Sequence, residues 1–158
     1  MTSFTARAPS AAPATARTAR RVLVVEDDAF VRHAVSRMFA KAGWTVADVE
    51  GADGAFAAAA SDPPDLVVTD VMLIGMNGAQ IAAELRRERP TLPVVFISGH
   101  SAEYLASRVG PLEHFLEKPF TREALLKLAD ETVAQRRTED QVPSAPGYIN
   151  SARPDWNE

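Results

Sequence analysis

The strongest constraint on this chain is a rhythm: short apolar runs alternate five times with longer stretches of helical period. VLVV at 22–25 precedes 29–42, where Val31, Val35, Met38, Phe39 and Ala42 share one helical face before Gly43 ends it. WTVADV at 44–49 precedes the Ala-rich GADGAFAAAA of 51–60, which Pro63 and Pro64 stop. DLVVTD leads into 78–89, PVVFIS into 102–109, and HFLE into a last helical stretch from 121 to about 136 with Leu125, Leu128, Ala129 and Val133 on its apolar face. Near-continuous apolar strands separated by helices predict an α/β fold, one five-stranded parallel sheet covered on both faces, because only such a sheet buries both sides of each strand.

The rhythm occupies 21–137. Residues 1–20 form an Ala/Arg/Pro-rich extension with too little apolar content to fold, and 138–158, holding Pro143, Pro146, Gly147 and Pro154, read as a flexible tail. The whole chain has 158 residues, 46% hydrophobic and 24% charged, enough for one domain with a core. The formal charge of −4 is uneven, since Arg7, Arg17, Arg20 and Arg21 stand in an acid-free first stretch and the remainder is acidic. With no cysteine, thiolate metal sites and cysteine nucleophiles are excluded. No apolar segment approaches the roughly 20 residues that span a bilayer and no secretory signal opens the chain, so a cytoplasmic protein without membrane contact is expected.

In doubly wound sheets, ligands sit beyond the carboxyl ends of the strands. Glu26, Asp27 and Asp28 follow the first strand, Asp70 ends the third, Ser98 and Gly99 end the fourth, and the fifth runs into Lys118, Pro119 and Phe120. Crowded carboxylates repel and call for a cation, and oxygen-only ligation favours magnesium over softer metals. Lys118 adds a fixed positive charge. Metal, amine and hydroxyl together suit a phosphoryl group, with one carboxylate left to act as nucleophile. Asp28, directly ahead of the first helix, reads as its N-cap before it reads as a metal ligand.

The chain resembles the receiver domains of two-component response regulators. The resemblance rests on VVEDD at 24–28, TDVML at 69–73, Asn77 and Gly78, FISG at 96–99 and FLEKPF at 115–120, all in register on the strand-helix pattern. It implies a (βα)5 flavodoxin-like arrangement in which Asp70 accepts a phosphoryl group from the phosphohistidine of a sensor histidine kinase or a histidine phosphotransfer protein. It further implies Mg2+ as cofactor, bound by Asp27, Asp70 and the backbone carbonyl of Met72, with Glu26 acting largely through water. Lys118, ahead of a cis peptide at Pro119, would contact a phosphoryl oxygen. Ser98 would swing to the phosphoryl group and Phe115 turn into the space it leaves, coupling Asp70 to the surface made by the fourth helical stretch, the fifth strand and the last helix.

Two positions are expected to tune phospho-lifetime. Met72, two past the acceptor, would hinder the hydrolytic water, and His100, two past Ser98, borders the same opening, with a solvated loop residue as its plainer reading. Ile74 departs from the family, which often has proline there. His33 and His114 lack the neighbours of a phosphohistidine or metal site.

The expected protein is a signalling phosphoprotein rather than an enzyme in the usual sense, catalysing its own phosphorylation and dephosphorylation at Asp70. The segment after 137 is too short for a DNA-binding output and no basic stripe is present, so a stand-alone switch or phosphorelay intermediate without nucleic-acid contact is expected. It would act through an unknown downstream protein target, as a monomer or a phosphorylation-dependent homodimer. An aspartyl phosphatase resembling the haloacid dehalogenases would need an acid where Met72 stands. An inert receiver-like binding module would have no need of crowded carboxylates.

Overall fold

A computed structural model describes residues 19–99 and 112–141 of the chain. Five strands form one parallel sheet: β1 (Arg21–Val25), β2 (Thr45–Val49), β3 (Leu66–Asp70), β4 (Val94–Ser98) and β5 (Glu113–Glu117), in the order β2-β1-β3-β4-β5. The helices are α1 (Ala29–Lys41), α2 (Ala52–Ser61), α3 (Gly78–Glu88) and α4 (Arg122–Gln141). The helical stretch expected at 102–109 lies outside the described residues, as does His100.

Strand alternation sorts the apolar side chains into two cores. Val22, Val24, Leu66, Val68, Val95 and Ile97 point to one face, where Val35 and Phe39 of α1 and Leu125, Ala129 and Val133 of α4 cover them. Leu23, Val25, Val67, Val94 and Phe96 point to the other, beneath Ala55 of α2 and Ile81 and Ala82 of α3. The expectation of strands buried on both faces holds for β3 and β4, and for β1 beyond Arg21, but not for β2 and β5. Those two are the sheet's edges, and an apolar run does not reveal which strand ends up outermost.

Local chemistry explains most element ends. Gly43, at φ 90°, terminates α1 in a left-handed turn that costs glycine least. Trp44 falls just before β2 because its N–H bonds Phe39 O, placing the indole edge-on to the Phe39 ring and under the Arg20 guanidinium. Thr121 is not helical itself; its Oγ1 caps α4 by accepting from Ala124 N–H at 3.1 Å. α4 runs to Gln141, past the residue 137 expected to end the domain, because no breaker intervenes before Pro143, whose ring disfavours helix in the residue preceding it.

The reversal of winding lies between β1 and β3, so the carboxyl ends of these two neighbours form the cleft at which such sheets bind ligands. Gly78 closes the β3–α3 loop there, its N–H bonding Val71 O at 3.1 Å. A Cβ at that position would overlap the Asp70 carbonyl oxygen and approach Thr69 Oγ1 to 2.9 Å, so only glycine lets α3 start so close to the end of β3. Gly78→Ala is therefore expected to lower stability by roughly 1–3 kcal/mol, the range for overpacking. Urea unfolding checks this, and an unchanged midpoint would show that the loop yields freely.

Candidate functional site

The residues expected at the site come together from four separate segments. β1 carries its ladder one rung past its last residue, with Glu26 N–H bonding Val49 O at 3.0 Å, so the Glu26 side chain remains inside and is 1% exposed. Asp27, the next residue, is exposed. Asp70 closes β3 and is 7% exposed. One carboxylate oxygen from each of Glu26, Asp27 and Asp70 lies within 4.8 Å of the others, the spacing of ligands around a single cation.

Lys118 reaches over from the end of β5. Its Nζ donates to Asp70 Oδ2 at 2.7 Å and to Glu26 Oε2 at 3.2 Å. Its backbone N–H donates to Ser98 O at 2.8 Å, which locks the end of β5 onto β4, and the Lys118–Pro119 peptide is cis as expected. Burial alone would lower the ammonium pKa, but the hydrogen bonds it donates to Asp70 and Glu26 and the charges of both carboxylates outweigh it and raise it. Lys118 thus stays charged.

The other oxygen of Asp70 accepts from Met72 N–H at 2.9 Å, fixing the carboxylate plane. The Met72 side chain, two residues past the acid, stands 63% exposed. Ser98 is buried at the end of β4. Phe115 pairs with Phe96 in register and packs partly buried into the core beneath α2 and α3, so by alternation Ser98 and Phe115 face the same side of the sheet.

Asp28 is the N-cap of α1: its Oδ1 accepts from Phe30 N–H at 2.9 Å and Val31 N–H at 3.1 Å, which makes it a poor candidate ligand. Asn77 caps α3 in a capping box with Gln80. His114 has its Nε2 at 2.9 Å from Gln135 Oε1, and burial lowers its pKa against the opposing charge of Glu131; it stands apart from the acidic group. Gly78, expected only as part of the motif, and Arg32 both contribute in ways their residue types did not announce. Gly78 sets the loop, and Arg32, one turn beyond the Asp28 cap, donates through Nη1 to the Glu26 carbonyl oxygen at 2.8 Å.

Residues 22–130 match the response regulator receiver domain. The chain belongs to that family. It is 30% identical over 123 residues to the DNA-binding transcriptional regulator NtrC of Salmonella typhimurium, and 34% identical over 119 residues to the C4-dicarboxylate transport transcriptional regulatory protein DctD of Pseudomonas aeruginosa. These matches cover 76% and 74% of the chain but 26% of each relative, so the chain spans about a quarter of the length of these curated relatives. Among solved structures, a response regulator receiver protein from Sinorhizobium medicae superposes with a TM-score of 0.70 at 31% identity, covering 75% of this chain and 98% of that one. The receiver domain of NtrX from Brucella abortus gives 0.65 at 33% identity, covering 72% and 98%. The expected flavodoxin-like receiver fold is thereby established. No described helix is long and apolar enough to cross a membrane.

Receivers are phosphorylated by histidine kinases, and the electrostatics here suit a site that exchanges cations. Glu26 is raised from the ordinary 4.5 to about 7, chiefly by burial and further by the Asp70 carboxylate, against the Asp28 N–H and Lys118 hydrogen bonds. A carboxyl raised on folding keeps its proton longer in the folded protein than in the unfolded chain. Its contribution to stability is therefore full below 4.5 and lost as pH rises through about 7. With divalent cations chelated, the melting temperature is expected to fall between about pH 5 and about pH 8, and Glu26→Gln to flatten that fall. Thermal melts across the range check this; parallel curves would assign the slope to other groups.

Proposed function

We propose that this chain takes a phosphoryl group onto Asp70 from a phosphohistidine in a Mg2+-dependent reaction, and passes the signal on through protein contacts. The observation that carries the reading is the placement of Asp70 Oδ2 at 2.7 Å from Lys118 Nζ, within one cation's reach of Glu26 and Asp27 at the point where the sheet reverses its winding. Three oxygen donors in this spacing fit magnesium, which would be held by Asp27 and Asp70 directly, by the Met72 carbonyl, and by Glu26 largely through water. When bound, the ion neutralises phosphoryl oxygens as charge builds on them.

The protein supplies the remainder. An Asp70 oxygen attacks phosphorus, the P–N bond to the donor imidazole breaks, and its electron pair stays with the departing ring. Lys118 turns its ammonium from the carboxylates to a phosphoryl oxygen, so positive charge is already in place when the negative charge arrives. Ser98 donates its hydroxyl to the phosphoryl group, and Phe115 moves on the same sheet face into the space released. The step is self-catalysed and leaves a covalently modified protein, so the chain is a signalling phosphoprotein and not an enzyme that turns over a separate substrate.

The donor is a protein with an apolar face. Among the described residues, the exposed large hydrophobic side chains are Phe30 (84%), Met72, Ile74 (91%) and Met76, and all lie on the β3–α3 loop that follows Asp70 and on the first turn of α1. A partner that brings phosphorus to Asp70 must cover them. The relatives named as transcriptional regulators carry the matched region as one part of longer chains. The output proposed here is therefore the one this region makes itself, a contact between proteins that phosphorylation at Asp70 turns on.

Incubation with acetyl phosphate and Mg2+ is expected to give a labile phosphoryl mass gain, released by hydroxylamine, that Asp70→Asn abolishes; no gain in the native chain would sink the reading and favour an inert module. Phe30→Asp and Ile74→Asp are expected to leave acetyl phosphate labelling intact while slowing transfer from a phosphorylated histidine protein by at least about tenfold, the equivalent of roughly 1.4 kcal/mol of lost apolar contact. Equal rates from both donors would remove the apolar face from the account. Met72→Asn is expected to shorten the phosphoryl lifetime several-fold in a chase without donor. An unchanged lifetime would show that the methionine does not shield the bond from water.

A further inference from the structure

The three acids of the site are held in unequal ways. Glu26 is gripped by Lys118 Nζ and by Asp28 N–H, and Asp70 by Lys118 Nζ and Met72 N–H. The Asp27 carboxylate is exposed and takes no hydrogen bond from a described residue. Its position depends on the backbone that carries it, and the peptide joining Glu26 to Asp27 has its carbonyl oxygen held at 2.8 Å by Arg32 Nη1. The Glu26 N–H on the other side is tied to Val49 O at 3.0 Å, so the Glu26 backbone is clamped between β2 and α1.

We propose that Arg32 is a positioning residue for cation binding: by holding the Glu26 carbonyl it aims the Asp27 carboxylate into the acidic group. The guanidinium suits this task because its several N–H donors lie in a fixed plane and its charge is permanent. Nη2 stands 3.6 Å from Glu50 Oε1, which occupies the outward side of the fork and leaves Nη1 for the carbonyl. The Arg32 side chain is 17% exposed, so it works partly out of water, where a charge-assisted hydrogen bond is strong. Arg32 touches neither the ion nor the phosphoryl group on this reading and acts through Asp27 alone.

The inference rests on the reading of the site as a magnesium site, and the two are separable by experiment. The Kd for Mg2+ is measured by titration calorimetry on the native chain, Arg32→Ala, Arg32→Lys and Glu50→Gln at a temperature where circular dichroism shows each to be folded. Arg32→Ala is expected to raise the Kd about tenfold or more, the usual cost of losing a group that orients a metal ligand, and Arg32→Lys, which can still donate to the carbonyl, to recover much of it. Glu50→Gln is expected to stay within about twofold, because it leaves the Nη1 bond in place. A purely structural role would lower the melting temperature without moving the Kd of the folded protein. Magnesium binding by the native chain with an unchanged Kd in both Arg32 variants overturns the positioning role alone; a native chain that binds no magnesium overturns it together with the reading it rests on.

Discussion

Three carboxylates within 4.8 Å of one another are the constraint around which the rest of this molecule is arranged. The strand order makes the crowding unavoidable: β1 and β3 are neighbours, β3 ends in Asp70, and Glu26 and Asp27 directly follow β1. Like charges so close and so poorly hydrated must find a proton, an ammonium group or a metal ion. The fold uses the first two, in the raised Glu26 carboxyl and in Lys118 brought across from the far side of the sheet. The same groups make the site ready for chemistry, because each of its present counter-charges can be exchanged. In the proposed reaction a metal ion would displace the proton, and the ammonium would turn from a carboxylate to a phosphoryl oxygen.

The two cores serve that arrangement differently. The face beneath α1 and α4 holds the larger set of buried side chains, from Phe39 and Trp44 to Leu125 and Val133, and fixes β1 and the acidic turn that follows it. The face beneath α2 and α3 carries Phe96 with Phe115 packed beside it, on the side of the sheet to which Ser98 belongs.

Much of this was legible in the sequence. Asp70, Lys118 and Ser98 could be placed at one edge because each ends or follows a strand whose apolar run is unmistakable. What could not be read was the difference between adjacent acids. Glu26 and Asp27 look interchangeable as letters, yet one further rung of β-ladder at Glu26 N–H buries the first and leaves the second exposed. Arg32 was missed because its partner is a main-chain carbonyl, and a main-chain carbonyl carries no residue-type signal. The half-exposed β2 and β5 were equally hidden, since edge position is a property of strand order and not of the strand's own residues. Asp28 was legible in full, because helix capping is local chemistry.

The β3–α3 loop is tied at both feet, by Asp70 Oδ1 to Met72 N–H and by Val71 O to Gly78 N–H, while Ile74 at its crest faces solvent almost completely. A loop pinned at its base and free at its tip transmits strain poorly from tip to base. The chain also contains no cysteine, so a thiol placed at position 74 would be the only one in the molecule. The crest is thus a natural mounting point for an environment-sensitive dye, four residues from Asp70 in the chain and tied to it only through the pinned base of the loop.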